Sequence, residues 1–154
     1  MKTAWNRPTT AMPIRKPVDP AYAPYAYFTQ RNFFTADVMK VISPQTVLAI
    51  GMTREQMAET LTRHGVSATS IAGGTLDDDA LRALLQKALG DDGQFVLANY
   101  LRASLGQVGG GHWSVLAAFD AQSDSVLILD VAKYKYAPAW VAISTLRQSI
   151  ATLD

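Results

Sequence analysis

The 154-residue sequence contains no cysteine and only two histidines. The absence of cysteine excludes disulfides, thiolate metal ligands and a cysteine nucleophile within this chain. Two histidines are too few for a histidine-rich metal site. No metal site is therefore predicted.

Strong charge and long apolar runs are also missing. The formal net charge is +1 and the basic residues are scattered, which predicts no nucleic-acid partner. No apolar run approaches the roughly 20 residues that span a bilayer, so no membrane partner is predicted. The first 16 residues lack the apolar centre of a secretory signal. The compartment stays unknown, with a soluble cytoplasmic protein as the default expectation.

The residues that are present predict a globular α+β fold. Hydrophobic residues make up 49% and charged residues 18% of the chain, which suits one domain with a real core. Residues 1–16 are predicted to form an irregular arm, and residues 17–154 a domain. Helical patterns come first and several consecutive strands follow. That order favours an antiparallel sheet with helices packed against it.

Capping residues and hydrophobic spacing place the individual elements. Helices are predicted to start at Pro44 after Ser43, at the Thr53–Gln56 capping box, after Thr75 and after Ser144. The helix after the capping box ends at His64, which is interpreted as a cation favoured by the helix dipole. Strands are predicted over residues 66–71, 95–101 and 140–143.

A glycine-rich loop, residues 109–111, leads into a predicted hairpin. Its strands are residues 112–119 and 125–131, joined by a turn at residues 120–123. In an antiparallel pair the numbers of opposite residues have a constant sum, here about 243, and opposite Cβ atoms lie about 5 Å apart. His112 is therefore expected opposite residue 130 or 131, within reach of Asp130.

An imidazole whose Nδ1–H is held by a carboxylate forms the base and orienter of a nucleophilic triad. His112 and Asp130 are therefore candidate catalytic residues. A surface pair or a strand-end cap is the alternative interpretation of the same two residues.

Two other features have simpler explanations than a functional site. The acidic residues 77–79 suit a helix start better than a metal site. The basic and aromatic residues 133–136 carry too few positive charges for nucleic-acid binding to be the preferred interpretation.

Several separate blocks, in the same order along the chain, resemble phytochelatin synthase, with the short bacterial members the most similar. The blocks are Phe28-Thr29-Gln30-Arg31-Asn32-Phe33-Phe34, Gly51-Met52-Thr53, Asn99-Tyr100-Leu101-Arg102, Gly110-Gly111-His112, Leu129 to Tyr136, Pro138 and Trp140-Val141. The resemblance implies a papain-like fold and glutathione as the substrate. A family cysteine forms a γ-glutamylcysteinyl thioester and glycine is released. The acyl group then passes to another glutathione or to water.

The resemblance also implies roles for particular residues. His112 and Asp130 match the catalytic histidine and its orienting aspartate. Asn99, Gly111 and Asp154 match glutathione-contacting positions, although Gly111 also suits a turn and Asp154 a helix end. No cofactor is expected to bind tightly, and Cd²⁺ or Zn²⁺ is expected to promote the reaction as a glutathione thiolate.

The sequence departs from the family pattern at both ends. The block with the nucleophilic cysteine and its preceding glutamine has no counterpart, and an arginine expected beyond Asp154 lies outside the chain. We therefore expect a phytochelatin synthase domain that keeps histidine and aspartate but is inactive alone. A non-catalytic glutathione or metal-thiolate binding module is the alternative, as is a fragment that needs a partner. The uncovered sheet face would allow homo-oligomers.

Overall fold

The computed structural model describes residues 2–6, 19–26 and 28–152. The chain divides into two compact units, Met1–Asn6 with Ala68–Asp154 and Arg7–Ser67. The division between an arm and a domain at residue 17 remains a prediction. No helix among the described residues is both long enough and apolar enough to cross a membrane.

A six-stranded sheet is formed by the described residues. The strands are β1 (Lys2–Asn6), β2 (Ser67–Ile71), β3 (Gln94–Leu101), β4 (Gly111–Asp120), β5 (Ser125–Leu129) and β6 (Ala139–Ala142). The strand order in the sheet is β2-β1-β3-β4-β5-β6, and the pairs β1–β3, β3–β4, β4–β5 and β5–β6 are antiparallel. The sheet and its helices confirm the predicted α+β class.

The helices of the described residues lie before and after the central strands. The α-helices are α1 (Gln30–Phe33), α2 (Pro44–Ile50), α3 (Arg54–Arg63), α4 (Asp78–Leu89) and α5 (Ile143–Ile150). Short 3₁₀ turns cover Pro20–Tyr22, Val38–Lys40, Gly73–Thr75 and Arg102–Leu105.

Local capping chemistry explains the helix starts within Arg7–Ser67. The Thr53 hydroxyl accepts from the Gln56 N–H and the Gln56 side chain accepts from the Thr53 N–H, which confirms the predicted capping box. Ser43 caps α2, whose first residue is Pro44, also as predicted. His64 is the C-terminal cap of α3, and its Nε2 makes a 2.9 Å hydrogen bond with the Phe33 carbonyl oxygen. Its ring also contacts that of Phe33, so His64 serves packing.

One face of the sheet and the helices α4 and α5 enclose the core of the larger unit. Even-numbered residues of β3 point into this core, because side chains alternate along a strand. On the helices, Leu85 of α4 and Ile143 and Leu146 of α5 are completely buried in this core. The buried members of the core are Leu81, Leu85, Ala88, Val96, Ala98, Tyr100, Leu116, Val126, Ile128, Ile143, Leu146 and Ile150.

The predicted irregular arm is wrong for its first residues. Lys2–Asn6 form β1, and the backbone of Thr3–Asn6 pairs with residues 94–97 of β3. This strand depends on pairing with a distant part of the chain, which local composition does not reveal. Residues 7–16 of the arm lie outside the described residues.

Two predicted helix caps are also wrong. Asp77, not Thr75, caps α4: its carboxylate accepts from the Ala80 N–H, while the Thr75 hydroxyl donates to the Ala72 carbonyl. The last helix begins at Ile143, after Ala142, without a side-chain cap. The Ile143 N–H donates instead to the Asp124 carbonyl, a tertiary contact that replaces the local cap.

Candidate functional site

The hairpin of β4 and β5 brings His112 and Asp130 together, although not in the predicted register. The pair farthest from the turn is Val115 with Leu129, and a bulge lies between Leu116 and Ala118 of β4. The extra residue changes the pairing sum by one along the ladder. Asp130 follows the end of β5, so the two side chains meet diagonally and the prediction of direct opposition is wrong.

The contact itself is a direct hydrogen bond. His112 Nε2 lies 2.9 Å from Asp130 Oδ1. The Asp130 side chain is 2% exposed and that of His112 22%, so only the imidazole reaches solvent. A carboxylate can only accept, so Nε2 carries the proton and donates it. The nitrogen bound to the carboxylate is therefore Nε2 rather than the expected Nδ1, and in the neutral ring Nδ1 is the basic nitrogen.

Asp130 is also held by two further groups. Its Oδ1 accepts from the Ala132 N–H at 2.8 Å and from Arg102 Nη2 at 3.1 Å, and Oδ2 lies 2.8 Å from Arg102 Nη1. The contact at Oδ2 is a charge contact without hydrogen-bond alignment. Burial by itself raises the pKa of Asp130, but hydrogen bonds from Arg102, Ala132 and His112 outweigh it and hold that pKa below the ordinary value. Asp130 is therefore a carboxylate at neutral pH.

Arg102 is the functional candidate that sequence reasoning missed. Its side chain is 5% exposed, which is unusual for arginine, and Nη1 also donates to Gln107 Oε1 at 2.6 Å. The Tyr136 ring covers the guanidinium, with Cζ 4.9 Å from the ring centroid. The sequence did contain a signal for this residue, because Arg102 continues the even-numbered, core-facing positions of β3. A buried charge at such a position needs a partner of opposite sign.

The environment of His112 favours the neutral imidazole. Burial lowers the pKa of His112, the Asp130 hydrogen bond raises it and the charge of Arg102 lowers it, and the net direction is downward. The Tyr100 ring also lies beside the imidazole in a T-shaped arrangement, with 5.9 Å between the ring centroids. The Tyr100 hydroxyl forms a 3.2 Å hydrogen bond with the buried Ser114 hydroxyl, which holds the Tyr100 ring in place beside His112.

Two loops beside the cluster are tied to each other. The Val108 N–H donates to the Tyr136 hydroxyl at 2.8 Å, and Lys135 Nζ donates to the Val108 carbonyl at 3.1 Å. Gly109 follows with φ of 130°, and a Cβ there would lie 3.0 Å from Arg102 Cδ. Glycine is therefore required where the loop passes the buried arginine.

Of the other predicted site residues, Asn99 and Gly111 do not join this cluster. Asn99 pairs with Trp113 and so points to the opposite face of the sheet from Tyr100 and His112. Gly111 pairs with Leu101 at the start of β4, next to His112. Asp154 lies outside the described residues. Within the described part of the chain, no three His, Cys, Asp or Glu side chains group as a metal site.

Fold and site together define an α+β domain with an imidazole–carboxylate–guanidinium cluster at the end of its sheet. The family model of phytochelatin synthase matches residues 9–154. The chain therefore belongs to the phytochelatin synthase family.

Curated relatives agree with this family. "Glutathione gamma-glutamylcysteinyltransferase 3" of Lotus japonicus is 42% identical over 59 residues, 38% of this chain and 12% of the relative. "Glutathione gamma-glutamylcysteinyltransferase 1" of Arabidopsis thaliana is 33% identical over 89 residues, 58% of this chain and 18% of the relative. "Glutathione gamma-glutamylcysteinyltransferase" of Schizosaccharomyces pombe is 33% identical over 63 residues, 41% of this chain and 15% of the relative. The chain thus spans less than a fifth of the length of each of these relatives.

Proposed function

We propose that this chain is a papain-like domain for γ-glutamylcysteinyl transfer from glutathione, with His112 as its base and Asp130 as the orienter. The observation that supports the proposal is the 2.9 Å hydrogen bond between His112 Nε2 and Asp130 Oδ1. It lies inside the range matched by the family model, and relatives named for this transfer match part of the chain.

In the proposed reaction each atom has a task. With Nε2–H bonded to Asp130, Nδ1 of His112 accepts the proton of an attacking thiol. The sulfur then attacks the carbonyl carbon of the peptide bond before glycine. A carbon–sulfur bond forms and the carbon–nitrogen bond breaks. The imidazolium returns its proton to the departing amine of glycine, as a base and acid does in a nucleophilic triad.

The thiol is not supplied by these 154 residues, which contain no cysteine. His112 then has no nucleophile to activate. Loss of a triad nucleophile costs about 10⁶-fold in kcat. The chain alone is therefore proposed to be inactive, and the thioester step to require a cysteine from another polypeptide segment.

The substrate side of the proposal comes from the family. Glutathione is the acyl donor, and Gly111 and Asp154 are proposed to contact it. Asn99 also matches a glutathione-contacting position of the family, but its side chain points to the face of the sheet opposite His112, so it is not proposed to contact the reacting end of the substrate. Cd²⁺ or Zn²⁺ is proposed to arrive as a thiolate of the substrate, not as a resident cofactor. Gly111 is adjacent to His112, so its backbone is the contact that lies nearest the base.

Glycine release from glutathione tests the chemical part of the proposal. The purified chain is incubated with millimolar glutathione, with and without Cd²⁺, and free glycine is measured by chromatography. We expect the same background as buffer. Release that disappears in His112→Ala would contradict the proposed inactivity, because it would show a complete site in this chain.

A glutathione-binding module without chemistry is the second candidate, favoured by the missing cysteine. Isothermal calorimetry with glutathione, with and without Cd²⁺, measures binding directly. We expect binding that weakens in His112→Ala and persists in the surface control Lys87→Ala. The absence of heat at millimolar glutathione would remove both the transferase-type and the binding proposals.

A further inference from the structure

The guanidinium of Arg102 is fixed on three sides. It meets both carboxylate oxygens of Asp130, donates to Gln107 and lies over the Tyr136 ring. A planar fork of donors matches a carboxylate in one orientation, which a lysine ammonium does not. The position of the Asp130 carboxylate is therefore determined by Arg102 as well as by the backbone of Ala132.

We propose that Arg102 is a positioning residue that neutralises Asp130 and thereby keeps His112 as a neutral imidazole with its proton on Nε2. The inference rests on the proposed role of His112 as a base, since only the neutral ring can accept a proton. Arg102 acts through Asp130 and does not contact the reacting atoms.

Charge counting explains why the arginine is needed. A buried carboxylate with only an imidazole beside it favours the imidazolium, because the two opposite charges then stabilise each other. Arg102 already supplies the positive charge, so the Arg102–Asp130 pair has no net charge. A proton on Nδ1 would then place an uncompensated cation in a site that is largely shielded from water.

Among the described residues, the other groups near His112 act in the same direction or are neutral. Tyr100, on β3, lies in a T-shaped arrangement with the imidazole, and its hydroxyl is hydrogen-bonded to the neutral hydroxyl of Ser114. Lys135 lies on the loop after β5 and adds a second positive charge that lowers the pKa of His112. Asp130 is the single negative contribution among the causes that act on this imidazole, and Arg102 opposes it.

A purely structural role is the competing explanation, because Arg102 also anchors its own loop. Its carbonyl accepts from the Gln107 N–H at 3.1 Å, and its N–H donates to the Gly110 carbonyl at 3.0 Å. Those backbone bonds survive a change of side chain. A structural role predicts loss of stability without a change in the protonation of His112.

Proton and nitrogen NMR of the two imidazoles separates these explanations. The wild-type chain is titrated with labelled histidine, and His112→Gln assigns the remaining signal to His64. We expect the neutral Nε2–H tautomer of His112 at pH 7. We also expect its titration midpoint to move upward in Arg102→Met, to return toward wild type in Arg102→Lys, and to stay unchanged in Lys87→Met.

Two results would overturn the inference. One is an Nδ1–H tautomer or an imidazolium for His112 in wild type at pH 7, which needs no variant and so does not depend on whether Arg102→Met folds. The other is an unchanged midpoint in a folded Arg102→Met. Neither readout uses glutathione, so failure of the proposed transferase function would leave this test intact.

Discussion

Removing both partners of the Arg102–Asp130 pair should cost less stability than the sum of removing each partner alone. The two side chains are 5% and 2% exposed, so truncation of either leaves a charge that water cannot solvate. Breaking a buried pair in this way costs about 3–5 kcal/mol. Arg102→Met and Asp130→Leu are the matched single variants, since each replaces a charge with an apolar chain of similar size.

The aspartate should be the more damaging loss. Asp130 also accepts from the Ala132 N–H and from His112, and a buried donor left without an acceptor adds about 1–3 kcal/mol. Replacement of both Arg102 and Asp130 removes both charges, and apolar substitutes for a buried pair are often neutral in free energy. We therefore expect the double variant to lose less stability than the sum of the two single variants.

Guanidinium chloride unfolding followed by circular dichroism measures the free energies of unfolding of all four proteins. Thermal unfolding gives an independent check, because about 1 kcal/mol corresponds to roughly 2–4 °C in a chain of this size. Additivity within about 0.5 kcal/mol would refute the reasoning, since it would mean that the two side chains do not interact. Single losses below about 1 kcal/mol would show that the pair is effectively solvated.

Three further predictions concern the loop, the histidine and the core. Gly109→Ala should destabilise the fold and displace Arg102, because the φ of 130° disfavours a side chain and the new Cβ would lie 3.0 Å from Arg102 Cδ. Gly110→Ala is the control: a Cβ there meets open space, so the free energy of unfolding should not change in the same assay. The lowered pKa of His112 contributes stability that is fully present above pH 6.5, its unfolded value, and is lost as the pH falls through the folded value. The urea concentration at the midpoint of unfolding should therefore decrease as the pH falls below 6.5 in the wild type, and should decrease less in His112→Gln. An equal dependence of the midpoint on pH in the two proteins would contradict this. Leu85→Ala removes a completely buried side chain and should cost about 2–5 kcal/mol by chemical unfolding, and a cost below 1 kcal/mol would contradict the assigned core.

Local patterns in the sequence were sufficient for most elements. The Thr53–Gln56 capping box, the Ser43-Pro44 start and the glycine loop before the hairpin each act over a few residues, so they can be recognised without the fold. The meeting of His112 and Asp130 was also predictable, because a hairpin joins residues that are close in sequence. The catalytic roles of this pair stay predictions.

Interactions between distant residues were decided only by the tertiary structure. The pairing of β1 with β3 joins residues more than 85 positions apart, and no local pattern encodes such a pairing. The bulge at Leu116/Ala118 changed the register, and the choice of Nε2 over Nδ1 followed from where the backbone placed the ring. The sequence by itself determined the α+β pattern and the two candidate side chains. Burial of Arg102 against Asp130, which sets the charge around His112, required three strands and two loops to come together, because desolvation exists only once the chain is folded.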